Sequence, residues 1–474
     1  MFNELKAYSV TEKAGLPWLD SIPSHWHLAR VKEILQPIDV RSVSGAEELL
    51  TVSSYRGVVP RSGEKVTMFQ AATYAGHKLC WPGDLVINSL WAWGGGLGVS
   101  PLHGIVSTAY GVYRSRSTQQ LDPAYLHSLV RSEPFNWELQ YRSRGVWKSR
   151  LQLTDDRFLA APIPLPPLGE QAAIVKYLGH AHARIDRAVA AKRKLIALLE
   201  EQKQAIIHQA VTRGLDPSVP LKDSGIPWLG EIPAHWKVTL LGRLLAGIEQ
   251  GWSPVAAEGD LEDDQWAVLT LAAIDRGRFR DSAHKPIARS AKIPMRLELR
   301  DGDLLLTRSN TRSRVGDVAI VRNPRKRTIF SDLIYRLRFA EQRIAPEFAA
   351  LVLRSRIGRI QIERDARGSS NTMPKISHAL IRGWRIPLPP LQDQVTIVRG
   401  VDAQLLGSSS AIGTVTQEIE LLREFLTRLT SDVVTGQVDV GEIAATLPEL
   451  TDDVLDSADD ELIESELELA GADE

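Results

Sequence analysis

The chain of 474 residues says the same thing twice. GLPWLDSIPSHW, from Gly15 to Trp26, returns as GIPWLGEIPAHW, from Gly225 to Trp236, an offset of 210 residues. APIPLPPLGEQ, from Ala161 to Gln171, returns as WRIPLPPLQDQ, from Trp384 to Gln394, an offset of 223. A weaker pair, GDLVINS from Gly83 and GDLLLTR from Gly302, lies at the intermediate offset of 219, so small insertions accumulate inside one continuous repeat. Solenoids and propellers repeat every 20 to 50 residues, so a period this long implies two similar domains related by approximate twofold symmetry.

Each IPLPPL is followed by a long helical pattern. In the first, Leu178, Ile185, Val189, Ile196, Leu199 and Ile206, with His182, Lys192 and Lys203 between them, recur alternately four and three residues apart, and in the second Ile412, Val415, Ile419, Leu422, Leu426 and Leu429 keep that rhythm without a polar interruption. Such a seam lets two helices pack along their length as a coiled coil, most simply one copy against the other. The LPPL prolines suit a helix start, with Glu170 or Asp393 in the first turn at the positive end of the dipole, and Gly214 and Gly436 are natural stops. Short apolar runs such as DLVIN, YGVY, DLLLT, VAIV and LIYRLRF fill the regions between the markers, with sparser helical patterns at PAYLHSLVRS and PEFAALVLRSRIGRIQ. The expected fold is therefore α+β: two strand-rich α/β domains joined and separated by two long antiparallel coiled-coil helices in a pseudo-twofold internal repeat. The expected boundaries are an N-terminal segment (1–25), a first domain (26–161), a proline linker and helix (162–215), a connecting segment (216–235), a second domain (236–385), a second linker and helix (386–437) and a flexible acidic tail (438–474). The tryptophans 18, 26, 228 and 236 sit in Pro-rich entries to the domains and read as structural anchors.

The net charge of -1 hides a polarised distribution. From Asp439 to the end there are fourteen acidic residues and no Lys or Arg, whereas Arg296 to Arg385 holds twenty basic residues against nine acidic. That basic excess is the electrostatic footprint of a nucleic-acid partner. The lone cysteine, Cys80, excludes an internal disulfide and a multi-cysteine zinc site, and reads as a small core residue. No run approaches 18 apolar residues, and the first residues lack a signal-peptide pattern, so a cytoplasmic protein without a membrane partner is expected. WAWGGGLG lacks the Gly-Lys-Ser/Thr of a phosphate loop, His180 and His182 point to different helix faces, and no hydrolase, metalloprotease or adenine-methyltransferase signature is present. The chain reads as non-catalytic, with no cofactor or metal of its own.

The residues best suited to reading DNA lie just ahead of each long helix. RGVWKSRLQL, from Arg144, aligns without gaps on RGSSNTMPKI, from Arg367. Arg and Lys can fork onto guanine or neutralise phosphates, Asn can pair with adenine, and small residues let the backbone approach the duplex. The candidates are Tyr141, Arg142, Arg144, Trp147, Lys148 and Arg150 in the first copy, and Arg364, Arg367, Ser369, Ser370, Asn371 and Lys375 in the second. A further basic loop, RSNTRSR, adds Arg308, Asn310, Arg312 and Arg314, and its counterpart in the first copy is the Trp-rich NSLWAWGGG. Solvated surface loops would have a similar composition, but two copies at matched positions favour DNA contact.

GIPWLGEIPAHW, IPLPPLxxQ ahead of a long helix, and a helix ending in VTRGLD together resemble the specificity subunits of type I restriction-modification systems, over nearly the whole chain. The resemblance implies two target recognition domains that each read one half of a split, asymmetric site in double-stranded DNA. It also implies two docked methyltransferase subunits, with an endonuclease subunit as a further partner. S-adenosylmethionine, ATP and magnesium would belong to those partners. RGSSNTMPKIS is similar to the family's Gly-Ser loop near the DNA, so Ser369, Ser370, Asn371 and Lys375 take that role, while RGVWKSRL departs from it. A helix of about 45 residues is roughly 65 Å long, which bounds the span between half-sites to fewer than about 19 base pairs. Two other classes fit the residues: a stand-alone DNA-binding regulator, and a coiled-coil scaffold whose domains bind protein.

Overall fold

The computed structural model describes residues 5–54, 56–61, 73–145, 151–255, 257, 259–340, 342–366 and 373–449. They fall into two compact units, the first built from the described part of 1–193 and 416–474, the second from 194–415. Each unit is α+β, and each contains the end of one long helix, an entry segment, a strand-rich domain and the beginning of the other long helix.

The centre of each unit is a four-stranded antiparallel sheet. In the first its order is Leu35–Pro37, Tyr110–Ser115, Leu85–Asn88 and Leu97–Val99. In the second it is Leu245–Gln250, Ile334–Phe339, Leu304–Thr307 and Val318–Ile320. The runs LVIN and LLLT are apolar throughout because the central strand is buried on both faces and successive side chains alternate between two cores. Leu85 and Ile87 enter the core shared with the helices, while Val86 enters a smaller one with Leu50, Val58 and Cys80. Leu304 and Leu306 are divided from Leu305 in the same way in the second unit. The Asp of each GDL is also explained: Asp84 takes two hydrogen bonds from Arg114 on the neighbouring strand, both at 2.7 Å, and Asp303 takes one from Arg336 at 2.8 Å.

The stretches assigned to proline linkers begin instead as strands. Pro162–Leu165 pairs with His27–Arg30, and Arg385–Leu388 with Lys237–Leu240. These are two-stranded sheets with an open edge, the place where a proline's missing N–H is tolerated. The long helices follow at once, Leu168–Arg213 and Leu391–Val434. The Gln of each IPLPPLxxQ is fully buried and holds this junction. Gln171 donates to the carbonyls of Pro166 (2.8 Å) and Gln120 (2.9 Å) and accepts from Asp122 N (2.8 Å). Gln394 donates to Pro389 O (2.9 Å) and accepts from Ala345 N (2.8 Å).

Within the first unit the two helices run antiparallel, with Thr430 beside His182 and Glu418 paired to Lys192 at 2.6 Å. Of the seam residues, Leu178, Ile185, Val189, Ile412, Val415, Ile419 and Leu429 are buried, while Ile196, Leu199, Ile206, Leu422 and Leu426 are half-buried. The helices stop at Gly214 and Gly436, both at positive φ. A Cβ at Gly436 would stand 2.4 Å from Pro23 and 3.0 Å from Trp26, so the stop doubles as a seat for the entry tryptophan. Trp26 and Trp236 are buried, and Trp18 and Trp228 pack half-buried against the same cores.

The acidic tail begins later than charge counting suggested. Lys6 bridges to Asp439, a short helix spans Gly441–Thr446, and Val440 and Ala444 are buried in the first unit's core. Val440, Ile443, Ala444 and Leu447 form a helical apolar stripe that the acidic composition masks. Residues 450–474 lie outside the described part. No described helix is long and apolar enough to cross a membrane.

Replacing Gln171 or Gln394 by Leu strands buried backbone groups at the strand-to-helix junction. Each variant is expected to lose about 2–4 kcal/mol of stability, read from the denaturant midpoint, and an unchanged midpoint would contradict the clamp.

Candidate nucleic-acid interface

The repeat places two loops together in each unit by the same hydrogen bond. In the second unit Ile376 N donates to Arg308 O at 3.0 Å, and in the first Leu153 N donates to Ser89 O, also at 3.0 Å. Arg308 opens the RSNTRSR loop, Ser89 opens its Trp-rich counterpart, and Ile376 and Leu153 end the stretches that precede the long helices. An additional bridge joins Ser309 to Lys375. Two sequence-distant candidates thus become one surface in each unit.

In the second unit the guanidinium of Arg308 lies 5.8 Å from the Tyr335 ring, and Tyr335 donates to Ile376 O at 3.3 Å. The ring of His378 meets Tyr335 edge-on at 4.5 Å. Burial, and then the positive charges of Arg382 and Arg308, lower the His378 pKa and favour its neutral form. Asn310 turns its side-chain oxygen back onto Thr311 N at 2.8 Å. Lys375 and Arg312 are exposed. Arg314 is not: its guanidinium pairs with Asp275 at 2.6 Å and lies 3.6 Å from Asp317, so it fastens the loop to the domain. Arg364 is engaged by the neighbouring Asp365 at 2.8 Å, and that carboxylate also accepts from Trp384. Arg367, Ser369, Ser370 and Asn371 lie outside the described residues.

The first unit presents different chemistry at the same place. Leu90 and Trp91 are about half exposed, and Trp91 packs on Trp93 at 4.6 Å. The glycine run makes that fold possible, since a Cβ at Gly94 or Gly96 would come within 2.9 Å of Trp91. Tyr141 is exposed and stacks in parallel on Trp137 at 5.7 Å. Arg142 is spent on Glu138 at 2.6 Å, and Arg144 pairs through its backbone with Gln152. Trp147, Lys148 and Arg150 lie outside the described residues.

One element escaped the sequence reading. A hairpin of Leu50–Ser53 and Gly57–Pro60 lies in the first unit, and one of Ile274–Asp275 and Arg278–Phe279 in the second. Both tips carry Arg-Gly, at 56–57 and 276–277, with the glycine at φ 79° and 89°. Each glycine backs onto a half-buried arginine at the end of the helix behind it. A Cβ at Gly57 would stand 3.6 Å from Arg131, and one at Gly277 only 2.6 Å from Arg354. Burial lowers the pKa of both, that of Arg131 to about 10. The dipeptide recurs at an offset of 220, one residue more than the 219 of the following GDL pair, and that recurrence was the available signal. Among the described residues no group of three or more His, Cys, Asp or Glu is arranged to hold a metal ion.

No family model matches the chain. It is 26% identical to the EcoEI type I restriction enzyme specificity subunit of Escherichia coli over 210 residues, which cover 44% of this chain and 35% of that one. It is 24% identical to the StySPI specificity subunit of Salmonella potsdam over 288 residues, 60% of this chain and 59% of that one. The chain therefore aligns with less than two thirds of either relative's length. A solved chain from work on the assembly and conformational transition of a type I restriction-modification system shares the fold, with a TM-score of 0.58 and 18% identity over 87% of this chain and 98% of that one. In sequence the chain is thus similar to specificity subunits of type I restriction enzymes over about half its length, and it shares its fold with a solved chain from work on such a system.

Proposed function

We propose that this chain is the DNA-reading subunit of a type I restriction-modification complex, non-catalytic itself. Each unit reads one half of a bipartite, asymmetric duplex target. The reading rests most on one observation: the same Ile376–Arg308 and Leu153–Ser89 hydrogen bond brings together, in both units, the loops whose side chains differ most. In the second unit that surface offers Arg308, Arg312 and Lys375, groups that pair with phosphates and guanine edges. In the first it offers exposed tryptophan and tyrosine, which contact thymine methyls and sugars. Two unlike surfaces on one repeated frame read two unlike half-sites.

The frame supports the partners. The buried glutamines, the strand-to-helix junctions and the glycine stops recur in both units, so a methyltransferase subunit that docks on one copy of the frame can dock on the other. Two methyltransferase subunits, and an endonuclease subunit where restriction accompanies modification, carry S-adenosylmethionine, ATP and magnesium in this reading. The long helices set the distance between half-sites.

Co-expression with an adenine methyltransferase is expected to yield a stable complex that methylates a split sequence. Inserting seven residues into each long helix should change the number of unread base pairs and leave both half-sites unaltered. An active variant with the original spacer would defeat the ruler role. Arg312→Ala is expected to weaken binding of the target duplex without lowering the melting temperature. Arg314→Ala is expected to lower the melting temperature by several degrees, about 2–4 °C per kcal/mol in a unit of this size. Lys375→Ala or Asn371→Ala should weaken recognition of one half-site only, and equal loss at both would point to damaged folding.

A further inference from the structure

The Arg276–Gly277 hairpin lies beside the proposed reading surface and is fastened to it. Arg314 of the RSNTRSR loop donates to Ile274 O at 3.3 Å and to the Asp275 carboxylate at 2.6 Å. From the other side, Arg276 N donates to Asp317 at 3.4 Å, and Gly277 bridges to Ala319. One face of the hairpin is anchored: Ile274 is buried, and Phe279 packs against the same core. The opposite face and the tip carry Arg276, Arg278 and Arg280, all exposed. Arg280 leans back to Asp275, whereas the side chains of Arg276 and Arg278 make no hydrogen bond or ion pair among the described residues.

The backbone at Arg276 is unusual. Its φ is 47°, in the left-handed region that disfavours side chains with a Cβ. Arg327 has a similar φ of 58°, but its guanidinium is bound to Asp264 O, so the conformation there is offset by a contact within the domain. No such contact offsets it at Arg276. A long cation is thus held at a hairpin tip where glycine would be easier, and its charge points away from the fold. The first unit repeats the Arg-Gly dipeptide at 56–57, but there Arg56 is half-buried and not at positive φ, so the exposed tip arginine is a feature of the second unit.

We propose that the Arg276–Gly277 hairpin is a DNA-backbone clamp, in which Arg276 and Arg278 neutralise phosphates that flank the half-site read by loop 308–314 and Lys375. The proposal rests on the DNA-reading function above and adds a contact of a different kind. Side chains on phosphates fix register and add affinity without selecting bases. Each such contact releases counterions, so it steepens the dependence of binding on salt.

The test uses the full-length chain in complex with co-expressed methyltransferase subunits, and follows the affinity for the target duplex from 50 to 300 mM salt. Arg276→Gly suits the local backbone, so its melting temperature is expected to equal or exceed that of the parent. Its salt slope should be shallower by about 0.9, and the Arg276→Gly/Arg278→Gln double variant should lose about twice as much. Arg276→Lys should keep most of the slope. The loss should be the same factor on duplexes with either half-site scrambled, and the methylated sequence should not change. An unaltered slope in both variants, with the parent complex binding normally, would overturn the clamp alone. A changed methylation sequence would overturn the phosphate assignment in favour of base reading. A parent complex that does not bind DNA would overturn the function itself, and the clamp with it.

Discussion

Every functional feature of this chain hangs on how each strand-rich domain hands over to its long helix. At that junction a short edge strand of alternating prolines ends, a helix begins, and a fully buried glutamine three residues on satisfies the backbone groups that neither element can. A buried unpaired amide or carbonyl is costly, so the handover has little freedom of geometry. The loop that precedes the strand is thereby fixed relative to the helix. In both units a single backbone hydrogen bond, to Ser89 or to Arg308, then fixes the second loop against the first. Variable side chains are presented on a rigid base.

The separation of frame from surface has a physical logic. Frame residues such as Gln171, Gln394, Gly436 and Trp26 touch the protein itself, and their bonds demand one residue type. Exposed residues such as Arg312 and Lys375 are under no such constraint and can differ between the copies. Arg276, one of the exposed residues at positive φ, is therefore informative, because no hydrogen bond or ion pair among the described residues engages its side chain.

The repeat, the strands within DLVIN and DLLLT, and both long helices are legible in the sequence because short-range patterning dictates them. The edge strand in IPLP is not, since its prolines argue against a strand unless the sheet is known to have only two members. The Gly441–Thr446 helix is hidden by acidic composition although Val440, Ile443, Ala444 and Leu447 carry the period. Among the site residues, charge type alone did not separate exposed Arg312 from Arg314, Arg142 and Arg364, each held by a carboxylate. Glu138 lies four residues from Arg142 on one helix and could have been foreseen, whereas Asp275 lies 39 residues from Arg314. The Arg-Gly tips needed the fold to join them to the reading loops.

The central claim is that one repeated frame carries two different readers. Genome-wide mapping of N6-methyladenine in a methylation-free host that carries this chain with its methyltransferase tests it most directly. The expected result is a single asymmetric motif of two unlike half-sites separated by a fixed number of unread base pairs. A continuous motif, or two identical half-sites in palindromic array, would contradict it.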